Sequence, residues 1–364
     1  MKSLPPFFRP RPTTRRRAGI VAGVLVTAAT VAACGSTSHT ATPPASSTTP
    51  TTVAAAAAYP VTVANCGTST TYTATPTRAV SNDINTTEDM LALNLESHMV
   101  GEFGASGSLP DGQPFPPEFA AGFKAVPELS SDYFTLEKLV GAKPDFVFAG
   151  WNYGLQVGTN LTPTNLAKYG IQTLALTESC AHVQATKQAV SIDDTYQDLT
   201  NLGQIFNIPQ SADQVIDAMK AQIAAAQANV ATLPSVTVFD YDSGTSAPFT
   251  GPGLAMPTSL VTLGGGTNIF ASLKQSWTSV SWEQVVKADP QCIIINDYGT
   301  PTAAQKQQFL ETSPITKNLT AVKNHCFLAL PYDEVTPGPR DGEAVTAIAR
   351  WLHPTTYGLP PDGS

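Results

Sequence analysis

The residues best placed to do chemistry in this chain are four cysteines, Cys66, Cys180, Cys292 and Cys326, and two glutamates, Glu137 and Glu283, in duplicated surroundings. None of the cysteines sits in a short-spaced pair, so they do not read as a zinc cluster. An even set in an exported chain reads as disulfides, with three possible connectivities. Cys66–Cys180 and Cys292–Cys326 are the expected pairs, because each then staples one half of the chain. Cys180 and His182 form a thiol–imidazole neighbourhood, but a disulfide partner makes a poor nucleophile. GxSxG, GxxxxGK[ST] and HExxH are all absent from the sequence, so no enzyme chemistry is expected. His98, His182, His325 and His353 stand apart along the chain, with His39 near the N-terminus. They offer no converging set for free zinc or manganese, and no resident metal or cofactor is expected.

The two glutamates belong to a self-similarity. Residues 135–148 read TLEKLVGAKPDFVF and residues 281–294 read SWEQVVKADPQCII, at a constant offset of 146. Each begins with Ser or Thr able to cap a helix, and each glutamate falls in the first turn, where free amides favour negative charge. A proline ends each helix before a β-rich run that reads as a buried parallel strand. One helix–strand unit is therefore used twice.

The elements around that unit alternate. Val61-Thr62-Val63 and Ala79-Val80 read as strands, 87–95 as a short helix, and 104–117 as a loop long enough to line an opening. Residues 192–206 and 211–232 read as helices, the second with Val215, Met219, Ile223, Ala226 and Val230 along one face. At 1.5 Å per residue it spans about 33 Å, which suits a rigid connector. Strand 236–240, helix 259–263, the turn Gly264-Gly265-Gly266, helix 302–311, strand 325–330 and helix 342–352 follow. The expected class is α/β: two Rossmann-like lobes with central, mostly parallel sheets joined by one long backbone helix.

The first 33 residues form an export signal, with Arg9, Arg11, Arg15, Arg16 and Arg17 before an apolar run too short to span a bilayer. Val31-Ala32-Ala33-Cys34-Gly35 resembles a bacterial lipobox, which makes Cys34 the expected lipidation site. Residues 34–58, rich in Thr, Ser, Pro and Ala, read as a flexible tether. Six of the 20 Lys and Arg precede Cys34 and all 28 Asp and Glu follow it, leaving 14 basic and 28 acidic residues and a net charge of −14. That balance excludes nucleic acid as a partner. The folded part divides into a lobe over 59–190, connecting helices over 191–233, and a second lobe over 234–359.

LEKLVGAKPDFVFAGW, LGGGTNIF at 263–270, WEQVVKADP and LGQIF together resemble the class III periplasmic binding proteins that serve ABC importers of iron–siderophores, haem and vitamin B12. The resemblance covers roughly 60–353. It implies a monomeric extracytoplasmic capture protein, lipid-anchored on the outer face of the cytoplasmic membrane. Its partners are an ABC permease dimer with its ATPase and a bulky ligand that can carry iron or cobalt. It also implies that Glu137 and Glu283 dock the permease. A surface sensing module on the same fold, without an importer, is the competing reading; neighbouring permease and ATPase genes separate the two.

Ligands of open α/β sheets lie beyond the carboxyl ends of strands. That rule selects Trp151, Asn152 and Tyr153, then Tyr241, Asp242 and Ser243, then Tyr298. By resemblance, Trp277 matches a cleft aromatic and Phe249, in APFTG, a cleft segment of the vitamin-B12-binding members. Arg340, in a Gly/Pro-rich loop, either meets an anionic ligand or pairs with Asp341, Glu343 or Glu334. With only Arg78, Arg340 and Arg350 in the folded part, a triply charged carboxylate ligand is disfavoured.

Overall fold

The computed structural model describes residues 59–110 and 112–359; the export signal, Cys34 and the tether lie outside them. The chain opens with a hairpin of β1 (Val61–Asn65) and β2 (Thr68–Tyr72). Its two-residue turn places Cys66 at φ 48° and Gly67 at φ 78°, the double positive φ that matches strand twist. Then come β3 (Ala79–Asn82), α1 (Ile84–Ala92), β4 (Met99–Phe103), α2 (Ala120–Ala125), β5 (Glu128–Ser130) and α3 (Leu136–Ala142). β6 (Phe146–Trp151), β7 (Gly154–Leu155), α4 (Pro163–Leu166) and β8 (Gln172–Ala175) complete the first lobe. Its central strands run parallel in the order β5-β4-β3-β6-β8.

Two helices follow, α5 (Ile192–Ile205) and α6 (Pro209–Val230). The second lobe contains β9 (Val236–Tyr241), β10 (Phe249–Thr250), α7 (Met256–Leu263), β11 (Gly266–Asn268), β12 (Thr278–Ser279) and α8 (Trp282–Ala288). β13 (Cys292–Asp297), α9 (Ala303–Thr312), α10 (Thr320–Lys323), β14 (Phe327–Pro331), α11 (Tyr332–Val335) and α12 (Asp341–Leu352) close it. The parallel order is β11-β9-β13-β14.

The offset of 146 holds in three dimensions. Thr135 and Ser281 cap α3 and α8, and Lys143 and Asp289 end them in the left-handed conformation. Leu139 packs with Val147 and Ala149 on one sheet face, and Val285 with Ile293 and Ile295 on the other sheet. Side chains alternate along a strand, so Phe146 and Phe148 in one lobe, and Cys292 and Ile294 in the other, join the cores on the opposite faces.

α6 serves both lobes. Ala212, Ile216 and Met219 join the first-lobe core, while Ile223, Ala226 and Val230 join that of the second. The buried stripe thus includes Ala212 and Ile216, and Val215 is only half-buried. Other boundaries also differ from expectation. α1 begins at Ile84 because Asp83 caps it, α7 begins at Met256, and Gly266 already belongs to β11.

Both disulfides are present as expected, Cys66–Cys180 and Cys292–Cys326. The second is fixed by register: Ile293 pairs with Phe327, so the cysteines before them are neighbours. The first ties the hairpin turn to a 3-10 segment over Thr177–His182. With sequence separations of 114 and 34, loop-closure entropy gives about 5 and about 4 kcal/mol. Urea melts of the C66S/C180S and C292S/C326S double variants should show the larger loss in the first.

Candidate functional site

Between the sheets lies a cleft of about 690 Å³ whose lining includes Tyr133, Tyr153, Phe249, Trp277, Tyr298 and Tyr332. No Lys or Arg is among the lining residues, and Asp132, Asp242 and His182 are its ionisable groups besides the tyrosines. Burial, then the charge of Lys187, pushes the His182 imidazole below its ordinary pKa. Phe249 and Trp277 stack with ring centres 6.2 Å apart, and Tyr298 meets Tyr332 edge-on at 5.6 Å. Behind Tyr298, the buried Lys306 ammonium lies 4.1 Å from the ring centre and donates to the Asn296 carbonyl at 2.6 Å.

Two carboxylates organise the floor. Asp83 follows β3 directly, is fully buried, and accepts from the Ile84 N–H, Ser108 Oγ, Tyr133 and Tyr332. Burial pushes its carboxyl above the ordinary range against the pull of those donors. Asp242 follows β9 directly and accepts from Ser243 Oγ at 2.8 Å and Tyr298 at 2.6 Å. The Tyr332–Asp83 bond crosses between lobes. So do the bonds from the Met256 N–H to Glu178 at 2.8 Å and from the Gly299 N–H to the Leu109 carbonyl at 3.2 Å. Burial pushes Glu178 up to about 7, opposed by the Met256 N–H.

Six expected ligand residues meet in this cleft: Asn152, Tyr153, Asp242, Phe249, Trp277 and Tyr298. Three do not. Trp151 is the last residue of β6, which runs three residues beyond Phe148, and strand alternation puts it in the core with Val147 and Ala149. Tyr241 is likewise the last residue of β9 and packs against Trp282 and Phe309. Arg340 is outside the cleft lining and pairs with Asp333 at 2.6 Å, Glu334, Glu118 at 3.2 Å and Glu343 at 3.3 Å. Pairing with Glu334 and Glu343 had been the alternative; pairing with Asp341 is not seen among the described residues. The strand carboxyl ends do face the cleft, but β6 and β9 run on to Trp151 and Tyr241. Applied to the true ends, the same rule also finds residues that had been missed: Asp83, Tyr133 shortly after β5, and Tyr332 directly after β14.

Glu137 and Glu283 are exposed in the first turns of α3 and α8. Their own lobes' cleft residues are close in sequence, Tyr133 four before Glu137 and Trp277 six before Glu283. The N–H of Glu283 itself, then Ser281, holds that carboxyl below its ordinary range. Among the described residues, no three His, Cys, Asp or Glu side chains converge to hold a metal ion. No described helix is long and apolar enough to cross a membrane.

Comparison with known proteins agrees with this layout. The chain is 28% identical over 162 residues to the vitamin B12-binding protein of Yersinia pestis (strain Pestoides F), 44% of this chain and 52% of that one. It thus spans about half the length of that curated relative. A periplasmic binding protein from Veillonella parvula superposes with a TM-score of 0.69 at 27% identity, over 81% of this chain and 97% of that one. An ABC-type Fe3+-hydroxamate transport protein from Saccharomonospora viridis superposes with the same TM-score of 0.69 at 21% identity, over 81% and 99%, a likeness of fold. The profile of the periplasmic binding proteins matches residues 80–334, most of both lobes and the helix between them, and the chain belongs to that solute-binding family.

Proposed function

We propose that this protein is the extracytoplasmic solute-binding component of an ABC importer, capturing a bulky ligand between its lobes and delivering it to a permease dimer driven by its ATPase. The observation that carries this reading is the cleft itself: six aromatic side chains, no cation, and a position at the carboxyl ends of two parallel sheets. Broad rings take large flat area from water at little entropic cost. The absence of Lys and Arg favours a neutral or cationic ligand over a multiply charged anion. A ferric hydroxamate or a corrinoid has that character, and relatives named for such ligands support the choice. Cys34 anchors the protein by lipid to the outer face of the cytoplasmic membrane, residues 34–58 give it reach, and it acts as a monomer. Residues 59–190 and 234–359 are the two lobes, with 191–233 connecting them. Glu137 and Glu283 are the docking residues.

Native mass spectrometry of the protein purified from its own host should reveal a co-purifying ligand, and cyanocobalamin and a neutral ferric trihydroxamate are the first compounds to titrate. Trp277→Ala should weaken binding of whichever binds by about 30-fold, the ~2 kcal/mol of a well-packed aromatic anchor. The melting temperature should stay nearly constant, because Trp277 is half-buried and outside the main cores. Unchanged affinity in a folded variant would remove Trp277 from the ligand wall.

A further inference from the structure

The hydrogen-bond donors of the cleft floor are turned out of it. Tyr133 from the first lobe and Tyr332 from the second both donate to Oδ2 of Asp83, and Tyr298 donates to Oδ2 of Asp242. A phenol has one proton, so these three oxygens face a ligand with lone pairs alone. The Trp277 indole N–H is also turned away, towards Glu178 behind the wall, though short of a formal hydrogen bond.

Asp83 is held for this task. Its φ of 91° with ψ of 159° is a strained conformation that favours glycine over residues with a side chain. Its Oδ1 is taken by the Ile84 N–H at 2.7 Å and Ser108 at 2.6 Å, which leaves Oδ2 for the two phenols. Four donors converge on its two oxygens, so this carboxyl accepts at every contact and sets where the phenol protons point. Asp242 holds the corresponding place after the corresponding strand of the other lobe. Tyr153 and Asn152 keep donors on the first-lobe wall, opposite a floor of acceptors.

We infer that Asp83 and Asp242 set the selectivity of the cleft: by turning three phenol protons inward they make a cation-free, acceptor-lined floor that takes ligands bearing amide or ammonium N–H groups and rejects those presenting carboxylate or catecholate oxygens. The inference rests on the solute-binding reading of the same cleft. Both residues are positioning residues, acting through the tyrosines.

Two ferric probes test it by quenching of tryptophan fluorescence: the desferrioxamine B complex, which carries a pendant ammonium, and a triply anionic tris-catecholate. The wild-type protein should prefer the first by about 100-fold or more. In Asp83→Asn and Asp242→Asn the carboxamide donates to the phenol oxygens and swings their protons towards the ligand. The preference should then fall at least tenfold, partly through tighter tris-catecholate binding, a gain that a damaged fold cannot produce. Tyr298→Phe, which leaves the backbone alone, should weaken the ammonium-bearing probe without that gain. Independently of any ligand, proton NMR of the free protein should show slowly exchanging phenol O–H signals from Tyr133, Tyr298 and Tyr332. Those bonded to the substituted aspartate should vanish in each variant. Equal wild-type affinity for the two probes, unchanged preference in folded variants, or missing O–H signals overturns the inference. If neither probe binds yet the O–H signals behave as expected, the ligand class proposed above falls and the orientation of the floor stands.

Discussion

Stability should fall as pH rises from about 5 to about 8.5, with the melting temperature dropping on the order of 10 °C. The cause is a set of buried acids where the lobes meet. Asp89 of α1 is fully buried, and neither of its oxygens has a hydrogen-bond partner. Burial, then repulsion from Asp198 and Asp341, pushes it well above its ordinary pKa. Burial raises Asp198 of α5 to about 7 although Thr177 donates twice to it, and raises Asp341 of α12 to about 8 although Thr195 donates at 2.7 Å. An acid whose folded pKa is raised stabilises the fold fully below its unfolded value, near 4. That contribution is lost as pH climbs through the folded value, here about 7 to about 8. At 1.36 kcal/mol per unit, Asp198 alone accounts for about 4 kcal/mol. Asp89→Asn gives up no hydrogen bond, so it should raise the melting temperature at about pH 8 and flatten the slope. Thermal melts across that range decide the matter, and a flat profile for the wild-type protein would show that these carboxyls are ionised throughout.

How much of this was legible in the sequence depends on how local each signal was. The repeated unit was readable because its parts are local: Thr135 and Ser281 as caps, a turn of helix, a left-handed stop and a proline. Even its packing followed, since a constant offset carries Leu139 onto Val285 along with the strand residues beneath them. The Cys292–Cys326 pair needed only that two strands be neighbours. The ends of β6 and β9 were harder. Ala149-Gly150 carries little β propensity, so the sequence marks β6 clearly only to Phe148, whereas the strand continues to Trp151, which packs in the core. Arg340 was legible only in part, through its near partners Glu334 and Glu343, and Asp83 was beyond local reading altogether. Arg340 meets Glu118 across 222 positions, and Asp83 meets Tyr332 across 249. A lone arginine near a loop can serve a ligand or four carboxylates, and only the tertiary structure chooses.

The second large effect belongs to the lobe surfaces. Glu137→Ala and Glu283→Ala, alone and together, should leave ligand affinity unchanged and lower delivery to a reconstituted importer, with the double variant worst. Both side chains are exposed and outside the cleft lining, so neither is placed to meet a ligand held in the cleft. The N–H of Glu283 itself, then Ser281, keeps that carboxyl below its ordinary pKa, which suits the proposed contact with a cationic partner. Exposed in the free protein, each glutamate contributes little to folding. Once desolvated against arginines of a permease, a broken pair typically costs 2–5 kcal/mol, roughly 30-fold or more in affinity. α6 buries residues in both lobe cores, so two docking contacts carried by one helix-connected body would reinforce each other only while their spacing is kept. Losing one therefore leaves a weakened complex, and losing both removes the register. The decisive comparison sets ligand titration beside uptake and ATPase stimulation in proteoliposomes containing the cognate permease. Normal uptake by the double variant would remove the docking role, and lost ligand affinity with an intact fold would move both glutamates into the binding site.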